Sequence, residues 1–146
     1  MTDPVYLLDV NVLVAMMWPP HRFHERANRW FEGLNEARWA TCSFTQAAVV
    51  RLLSNESFAS LLLEPAKAAQ LLAENLRRPG HVFWPMDIGY AEAIFPFASR
   101  IVGHRQVTDA YLLGLAMHKN GRLATMDRSI STLLSKEAAA RFITEI

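Results

Sequence analysis

The sequence predicts an α/β domain with a central, mainly parallel sheet flanked by helices. Short apolar segments alternate with segments of helical periodicity, and the apolar segments lack the in–out alternation of strands that face water on one side. Of the 146 residues, 51% are hydrophobic and 20% are charged, which favours one well-filled core and excludes a disordered chain. We therefore expect residues 1–146 to form a single domain.

Two strands and four helices are predicted in the first half of the chain. Apolar runs indicate the strands, and apolar side chains at helical spacing, such as Phe23 and Ala27, indicate the helices. In chain order, the predicted elements are a strand at Val5–Leu8, a helix capped by Asn11 and ending at Met17, a helix at His21–Leu34, a strand at Trp39–Cys42, and helices at Phe44–Leu53 and Pro65–Leu76. Ala47, Val50 and Leu53 are expected to face inward.

The second half of the chain continues the same alternation. In chain order, its predicted elements are a strand at His81–Pro85, a helix capped by Asp87 and limited by Pro96, a helix from a Thr108 cap to Met117, a strand at Leu123–Met126, and an edge strand at Phe142–Thr144. Asn120 and Gly121 are typical of a helix C-terminus. Ligands of parallel sheets bind beyond the carboxyl ends of the strands, so the residues that follow each strand are the candidate site.

Charge and cysteine content argue against a chain that binds polyanions through its overall charge and against a fold held by internal disulfides. Fifteen basic and fourteen acidic residues give a net charge of +1, so any polyanion must be held by a local patch or through a metal. Cys42 is the single cysteine and cannot form an internal disulfide, which is typical of a reducing compartment. Val5–Trp18 contains Asp9 and Asn11 and is too short for a membrane span. We expect a cytoplasmic protein without a membrane partner.

Three aspartates stand where the predicted fold places ligand sites. Asp9 and Asp127 each follow a predicted strand, and Asp109 lies in the first turn of a predicted helix. Each alone has an ordinary explanation, because aspartate is common in turns and stabilises a helix N-terminus. If the three converge, two carboxylates about 4 Å apart repel by about 4 kcal/mol at an effective dielectric of about 20. Such a cluster needs protonation or a cation, and oxygen ligands favour Mg²⁺ or Mn²⁺, which can support phosphodiester cleavage.

The three acidic segments resemble the motifs of PIN-domain ribonucleases, in particular the VapC toxins of type II toxin–antitoxin pairs. These segments are Leu7–Leu13 around Asp9, Gln106–Leu112 around Asp109, and Leu123–Asp127. Further similar segments, in the same order as in the family, are Thr41–Thr45, Arg51-Leu52, His81–Trp84 and Gly103–Gln106. The resemblance extends over nearly the whole chain.

The resemblance implies a PIN-like three-layer fold and a Mg²⁺-dependent endoribonuclease that also accepts Mn²⁺. It further implies a cognate antitoxin, an RNA substrate and a homodimer. By position, Asp9 and Asp109 match the principal metal ligands of the family, and Asp127 matches a further acidic residue. Asn11 and Thr108 match small polar positions that orient these carboxylates, and simple helix capping is the alternative for both.

One position departs from the family. Thr45 and Gln46 occupy the segment where the family usually carries a glutamate, and both are counted as supporting residues of the site. Gln46 is neutral and offers a metal only its carbonyl oxygen. Three hypotheses follow: the site functions with three carboxylates, a nearby acid such as Glu56 compensates, or catalysis is weakened. We favour the first, and keep as the alternative function a weakly active or inactive binding module that retains antitoxin binding.

Other chemically active side chains carry weaker signals. His21 and His24 lack a second pair of ligands at metal-binding spacing and are expected at the surface. His104-Arg105 and Arg128 either contact phosphate or lie in solvated loops. Cys42 is expected in the core. Six large aromatic residues could also fill the core, and we expect this of most of them: Trp18, Trp30, Phe31, Trp84, Phe95 and Phe97.

Overall fold

Five parallel strands form the central sheet within residues 3–55 and 63–146, which are the residues that the computed structural model describes. They are β1 (Tyr6–Leu8), β2 (Trp39–Thr41), β3 (His81–Phe83), β4 (Arg122–Thr125) and β5 (Ile143–Glu145), in the spatial order β3-β2-β1-β4-β5. Each neighbouring pair is parallel. The strand order changes direction between β1 and β4, which is where open α/β sheets place their ligands.

Helices cover both faces of the sheet. They are α1 (Val10–Met17), α2 (His24–Glu32), α3 (Ser43–Leu53), α4 (Pro65–Asn75), α5 (Tyr90–Ile94), α6 (Val107–His118) and α7 (Lys136–Phe142), with short 3₁₀ helices at Phe95–Arg100, His104–Gln106 and Arg128–Leu133. Leu7 packs into the apolar cluster under α5, α6 and α7, whereas its neighbour Leu8 packs into the cluster under α1 to α4. Successive strand residues point to opposite faces, so both faces are buried and the fold has three layers, as predicted.

Helix α6 is buried along most of its length and holds the acidic residue of its first turn in a fixed position. Residues 110–116 of this helix are all buried. Gly114 allows α6 to approach α5, since a Cβ atom there would lie 2.4 Å from the carbonyl oxygen of Ala93. None of the described helices is long and apolar enough to cross a bilayer.

The predicted helix starts at Asn11 and Thr108 are wrong. Helix α1 begins at Val10, whose N–H donates to Oδ1 of Asp9 at 2.7 Å, so Asp9 is the cap. Helix α6 begins at Val107 and follows a 3₁₀ turn, which leaves Thr108 inside the first helical turn. In both cases a short polar residue near a helix start satisfies the capping pattern although the helix begins one residue before it.

Three further expectations are also corrected. Helix α5 begins at Tyr90, and Asp87 instead forms an ion pair with Lys119 at 2.9 Å. Helix α3 begins one residue earlier than predicted, and Ala47 is exposed rather than turned inward, whereas Leu53 is buried and Val50 packs against the core as expected. Phe95 is 81% exposed and lies outside the core, whereas Trp84, Phe97 and Cys42 are buried as expected.

Candidate functional site

A cleft of about 290 Å³ opens at the carboxyl ends of β1 and β4. It is lined by Asp9, Val10, Asn11, Val14, His21, Leu52, Asp109 and Asp127. The structure therefore brings the three aspartates, which are far apart along the chain, to one surface. Their assignment as metal ligands and catalytic groups stays a prediction at this point.

Asp9 is the most buried of the three acids, with 4% of its surface exposed. It follows β1 and caps α1, so its backbone position is fixed by both elements. Its Oδ2 accepts from the Thr125 hydroxyl at 2.7 Å and from the Asn11 amide at 3.4 Å. Burial raises the pKa of Asp9 and the charge of Asp127 adds to this, although the bonds from Thr125 and Val10 oppose the change.

Thr125 is a site residue that the sequence analysis missed. Its fully buried hydroxyl donates to Asp9 and lies 3.3 Å from the Asn11 amide nitrogen and 3.0 Å from the backbone nitrogen of Asp127, both of which donate to it. The Asn11 carbonyl oxygen accepts from the Met126 N–H at 3.2 Å. Asn11 and Thr125 thus tie the end of β1 to the end of β4. The sequence does hold one indication of this role, because Thr125 places a hydroxyl inside a predicted buried strand, two residues before Asp127.

Asp109 projects into the cleft from the first turn of α6. Burial and the neighbouring charges of Asp9 and Asp127 raise its pKa to about 6. This rise occurs despite the helix N-terminus, whose partial positive charge favours a carboxylate. The charges of Asp9 and Asp127 therefore act on Asp109, and within residues 3–55 and 63–146 no salt bridge is formed to any of the three acids.

Asp127 follows β4 and is half-buried. Its Oδ1 accepts from the backbone N–H of Ser129 at 2.9 Å and from the Ser129 hydroxyl at 2.7 Å. These two bonds fix the carboxylate at the start of the following 3₁₀ helix. Asp127 is thereby oriented by Ser129 of its own loop, whereas Asp9 is oriented by Thr125 of the neighbouring strand β4.

The donor set of the cleft suits an oxygen-seeking divalent cation. Asp9, Asp109, Asp127 and the Asn11 amide offer oxygen ligands, which Mg²⁺ and Mn²⁺ prefer. Within the described residues, no three His, Cys, Asp or Glu side chains are arranged as a complete ligand set. The chemistry of the donors and the mutual repulsion of the acids therefore support a cation here.

Gln46 lies beside the site rather than on the cleft. Its amide nitrogen donates to the buried Thr41 hydroxyl at 2.9 Å, and this hydroxyl is 2.8 Å from Nε2 of His81. The neutral side chain thus completes a polar chain from α3 through the last residue of β2 to the first residue of β3. Glu56, the acid considered as a replacement, lies outside the described residues.

Two of the other supporting residues also lie off the cleft. The buried Thr45 hydroxyl accepts from the Cys42 N–H and donates to the Cys42 carbonyl, each at 3.0 Å, which closes the first turn of α3. Thr108 is exposed in α6. Among the four supporting residues predicted from the sequence, Asn11 is the one that the structure places on the cleft wall.

His21 and His24 are half-buried, so part of each residue lies at the surface as expected. Nδ1 of His21 lies 3.0 Å from the backbone nitrogen of Phe23, and Nδ1 of His24 lies 2.8 Å from the carbonyl oxygen of Ala15. His21 lines the cleft, and the sequence offered no periodicity that would have placed it there. The basic residues His104, Arg105 and Arg128 are exposed, and their contact with phosphate stays a prediction.

The comparisons with known proteins identify the family. Residues 6–133 match the PIN domain family. Over 125 residues, the chain is 40% identical to ribonuclease VapC39 of Mycobacterium tuberculosis, covering 86% of this chain and 90% of that protein. The chain belongs to the VapC family of PIN domains. Ribonuclease VapC44 of the same organism is 41% identical over 125 residues, covering 86% and 87% of the two chains. The predicted family is confirmed.

Solved structures confirm the PIN fold. VapC20 of Mycobacterium tuberculosis, described as a sarcin–ricin loop cleaving toxin, superposes with a TM-score of 0.66 at 15% identity and covers 97% of this chain and 98% of its own. VapBC2 of Rickettsia felis, bound to a DNA fragment from its promoter, has a TM-score of 0.63 at 14% identity with the same coverage. At this identity the likeness concerns the fold, and function is argued from the cleft.

Proposed function

We propose that this VapC-family chain is the toxin of a type II toxin–antitoxin pair and hydrolyses RNA phosphodiester bonds at the aspartate cleft. The observation that carries the proposal is the meeting of Asp9, Asp109 and Asp127 on one cleft, where burial and the charges of Asp9 and Asp127 raise the pKa of Asp109 to about 6. The ribonuclease names of relatives that share about two fifths of the sequence support the same activity.

Mg²⁺ is the proposed cofactor, with Mn²⁺ as a substitute. Asp9 and Asp109 would hold the principal ion, and Asp127 would hold an ion or position the attacking water. A bound divalent cation offsets the charge of the cleft and of the phosphate and lowers the pKa of water. Because Ser129 engages Oδ1 of Asp127, we assign its Oδ2 to the ion or the water.

The residues around the acids prepare the site for hydrolysis. Thr125 and Asn11 hold the Asp9 carboxylate in one orientation, so little reorganisation is needed when the substrate binds. Water adds to phosphorus and the P–O3′ bond breaks, which leaves a 3′-hydroxyl and a 5′-phosphate. Single-stranded or loop RNA is the proposed substrate, since its backbone can enter a cleft of this size.

The direct test is cleavage of a structured RNA by the purified chain with Mg²⁺, with Mn²⁺ and with EDTA. We expect cleavage with either metal, none with EDTA, and products that carry 5′-phosphates. Asp109→Asn should abolish cleavage, whereas Asp87→Asn, the same change at an exposed aspartate paired with Lys119, should not. Cleavage that persists in EDTA, or that survives Asp109→Asn unchanged, would contradict the mechanism.

A substitution at Gln46 distinguishes the two candidate functions, an active enzyme and a binding module. If three carboxylates suffice, Gln46→Glu leaves the rate nearly unchanged, because position 46 faces Thr41 and lies off the cleft. A large gain in rate would instead mean that the natural site is weakened. Gln70→Glu adds the same charge at an exposed position of α4 and serves as the matched control.

A cognate antitoxin and a second copy of the chain are the proposed protein partners. Phe95 and Val102 are 81% and 91% exposed, and such apolar side chains are typical of partner surfaces. Similar folds were solved as the VapBC2 and FitAB assemblies. The small protein encoded next to this chain should co-purify with it and inhibit cleavage. Light scattering should give twice the chain mass of 16.5 kDa.

A further inference from the structure

A basic surface borders the aspartate cleft. It consists of Arg22, Phe23 and Arg26, which we name the arginine rim. The Phe23 ring lies 6.0 Å, centroid to centroid, from the ring of His21, and His21 lines the cleft. The guanidinium carbons of Arg22 and Arg26 lie 5.1 and 5.4 Å from the centroid of the same Phe23 ring. Two cations are therefore gathered around one aromatic ring next to the cleft wall.

The arginine rim is tied to the strand that orients the acids. Arg26 lies near the start of α2, and its guanidinium group donates to the carbonyl oxygen of Ile146. The Ile146 N–H donates in turn to the carbonyl oxygen of Thr125 at 3.0 Å. Thr125 is the residue whose hydroxyl donates to Asp9. A continuous set of contacts thus fixes the position of the arginine rim relative to the cleft.

The positive charge of the arginine rim is not neutralised by ion pairs. Arg22 is exposed, and within residues 3–55 and 63–146 its side chain forms no ion pair and donates no hydrogen bond. Glu25, the acid of the same turn, forms no ion pair with Arg22 or Arg26 in that part of the chain. The face of an aromatic ring attracts a guanidinium group without using its N–H donors. Two like charges beside one ring repel each other, so the arginine rim favours a bound anion.

An RNA strand is the anion that fits this position. The net charge of +1 gives the chain no general attraction for a polyanion, and the cleft itself presents three aspartates to the strand. A strand that is cut in the cleft must continue past its border, where the flanking phosphates come close to the arginine rim. Guanidinium groups bind phosphate oxygens through paired N–H donors. The charge of the rim and its continuity with the cleft therefore favour the RNA backbone over an acidic protein surface.

We propose that Arg22 and Arg26 bind phosphate groups of the RNA strand that flank the scissile phosphate. The inference rests on the proposed ribonuclease function and adds a binding site for the RNA backbone outside the aspartate cleft. Neither arginine takes part in breaking the P–O bond, and their contribution is to affinity. Because the contact is to the backbone, it holds for RNA of any sequence and weakens as the salt concentration rises.

The test is the salt dependence of RNA binding. Fluorescence anisotropy of a labelled single-stranded RNA of mixed sequence is measured in EDTA, between about 0.05 and 0.3 M salt. Arg22→Gln removes the charge, whereas Arg22→Lys keeps it, and a double variant also carries Arg26→Gln. Arg77→Gln is the matched control, because Arg77 is exposed and precedes the amino end of β3, at the edge of the sheet opposite to the cleft. Thermal midpoints show whether each variant is folded.

We expect Arg22→Gln to reduce the slope of log affinity against log salt by about 0.7 and the affinity at about 0.1 M salt by about 5-fold, the values for one lost phosphate contact. The double variant should lose about 1.4 in slope and about 25-fold in affinity. Arg22→Lys should keep the slope and most of the affinity, and Arg77→Gln should match the wild type. Equal losses in Arg22→Lys and Arg22→Gln overturn the inference, because charge is then not the cause. A double variant that binds as well as Arg22→Gln overturns the part assigned to Arg26.

Cleavage of the same RNA with Mg²⁺ separates this inference from the proposed function. The kcat/KM of Arg22→Gln should fall about as much as its affinity, mainly through a higher KM. Unchanged affinity and unchanged KM overturn the inference while leaving the ribonuclease function intact. Absence of wild-type cleavage refutes the proposed function, and anisotropy then decides the binding site alone; a wild type that neither cleaves nor binds RNA refutes both. If Arg22→Gln keeps its RNA affinity but no longer co-purifies with the small protein encoded next to this chain, the arginine rim binds that protein and the inference is wrong.

Discussion

Replacing Asp109 by asparagine should stabilise the metal-free protein at neutral pH, although it removes a proposed catalytic group. Burial and the charges of Asp9 and Asp127 raise the pKa of Asp109 from 3.8 to about 6. The folded state therefore holds this proton more tightly than the unfolded state. Its stabilising contribution is complete below about pH 4, falls as the pH rises, and is lost above about pH 6. At pH 7.5 the ionised Asp109 thus destabilises the fold, and asparagine removes that cost.

The expected gain in the free energy of unfolding follows from the pKa of Asp109 in the unfolded and in the folded state. A difference of about 2.2 corresponds to about 3 kcal/mol at 1.36 kcal/mol for each tenfold change. Asp109 is partly open to solvent, so screening reduces this to about 1–2 kcal/mol. For a chain of 146 residues, such a gain raises the thermal midpoint by about 3–6 °C.

The assay is urea and thermal unfolding of the wild type and Asp109→Asn in EDTA at pH 7.5, 6.0 and 4.0. The gain should be largest at pH 7.5 and should vanish at pH 4.0. Asp87→Asn is the control, and its effect on stability should have the opposite sign. The hydrogen bond from Lys119 lowers the pKa of Asp87, so replacing the carboxylate should destabilise the protein at neutral pH. Mg²⁺ should stabilise the wild type more than Asp109→Asn.

The reasoning is refuted if Asp109→Asn is no more stable than the wild type at pH 7.5 in EDTA. It is equally refuted if the gain is the same at pH 4.0 as at pH 7.5, since a charge effect must disappear when the carboxyl is protonated in both states. An equal effect of Mg²⁺ on both proteins would show that Asp109 does not hold the ion.

Three more substitutions test the supports of the site. Thr125→Val removes the hydroxyl that donates to Asp9 and should weaken Mg²⁺ binding by about 10- to 100-fold, measured from the metal dependence of the thermal midpoint. Gly114→Ala should lower the free energy of unfolding in urea by about 1–3 kcal/mol, because its Cβ would meet the Ala93 carbonyl, and a gain would contradict the observed packing. Arg122→Met removes the hydrogen bonds that hold α7 and β5 to β4 and should cost about 1.5–3 kcal/mol, with faster hydrogen exchange confined to α7 and β5.

The sequence predicted the strands and the acids well because both depend on local pattern. Apolar runs of three or four residues without alternation are typical of the strands of a covered parallel sheet, and all five predicted strands are present in the described residues. Asp9 and Asp127 follow two of these strands directly, and parallel strands end at one edge. The place of the cleft could therefore be predicted without coordinates.

The helix starts and the supporting residues were predicted less well because they depend on which polar atoms each side chain contacts, and these partners lie partly on distant segments and partly on the same turn. Asn11 has the sequence signature of a cap, yet its amide lies 3.3 Å from the Thr125 hydroxyl, 114 positions away in the chain. Gln46 and Thr45 are near the acidic motif in the family pattern, but their polar atoms bond to Thr41 and Cys42. A local pattern cannot distinguish these partners.

By itself, the sequence determined the alternation of strands and helices, the family, and the three aspartates at the sheet edge. These features follow from hydrophobic periodicity and from residues at fixed positions in an ordered set of motifs. The tertiary structure decided that Thr125 orients Asp9, that His21 joins the cleft, and that burial and the nearby charges of Asp9 and Asp127 raise the pKa of Asp109. Burial, hydrogen bonding and charge repulsion depend on distances in space, and chain folding alone sets those distances.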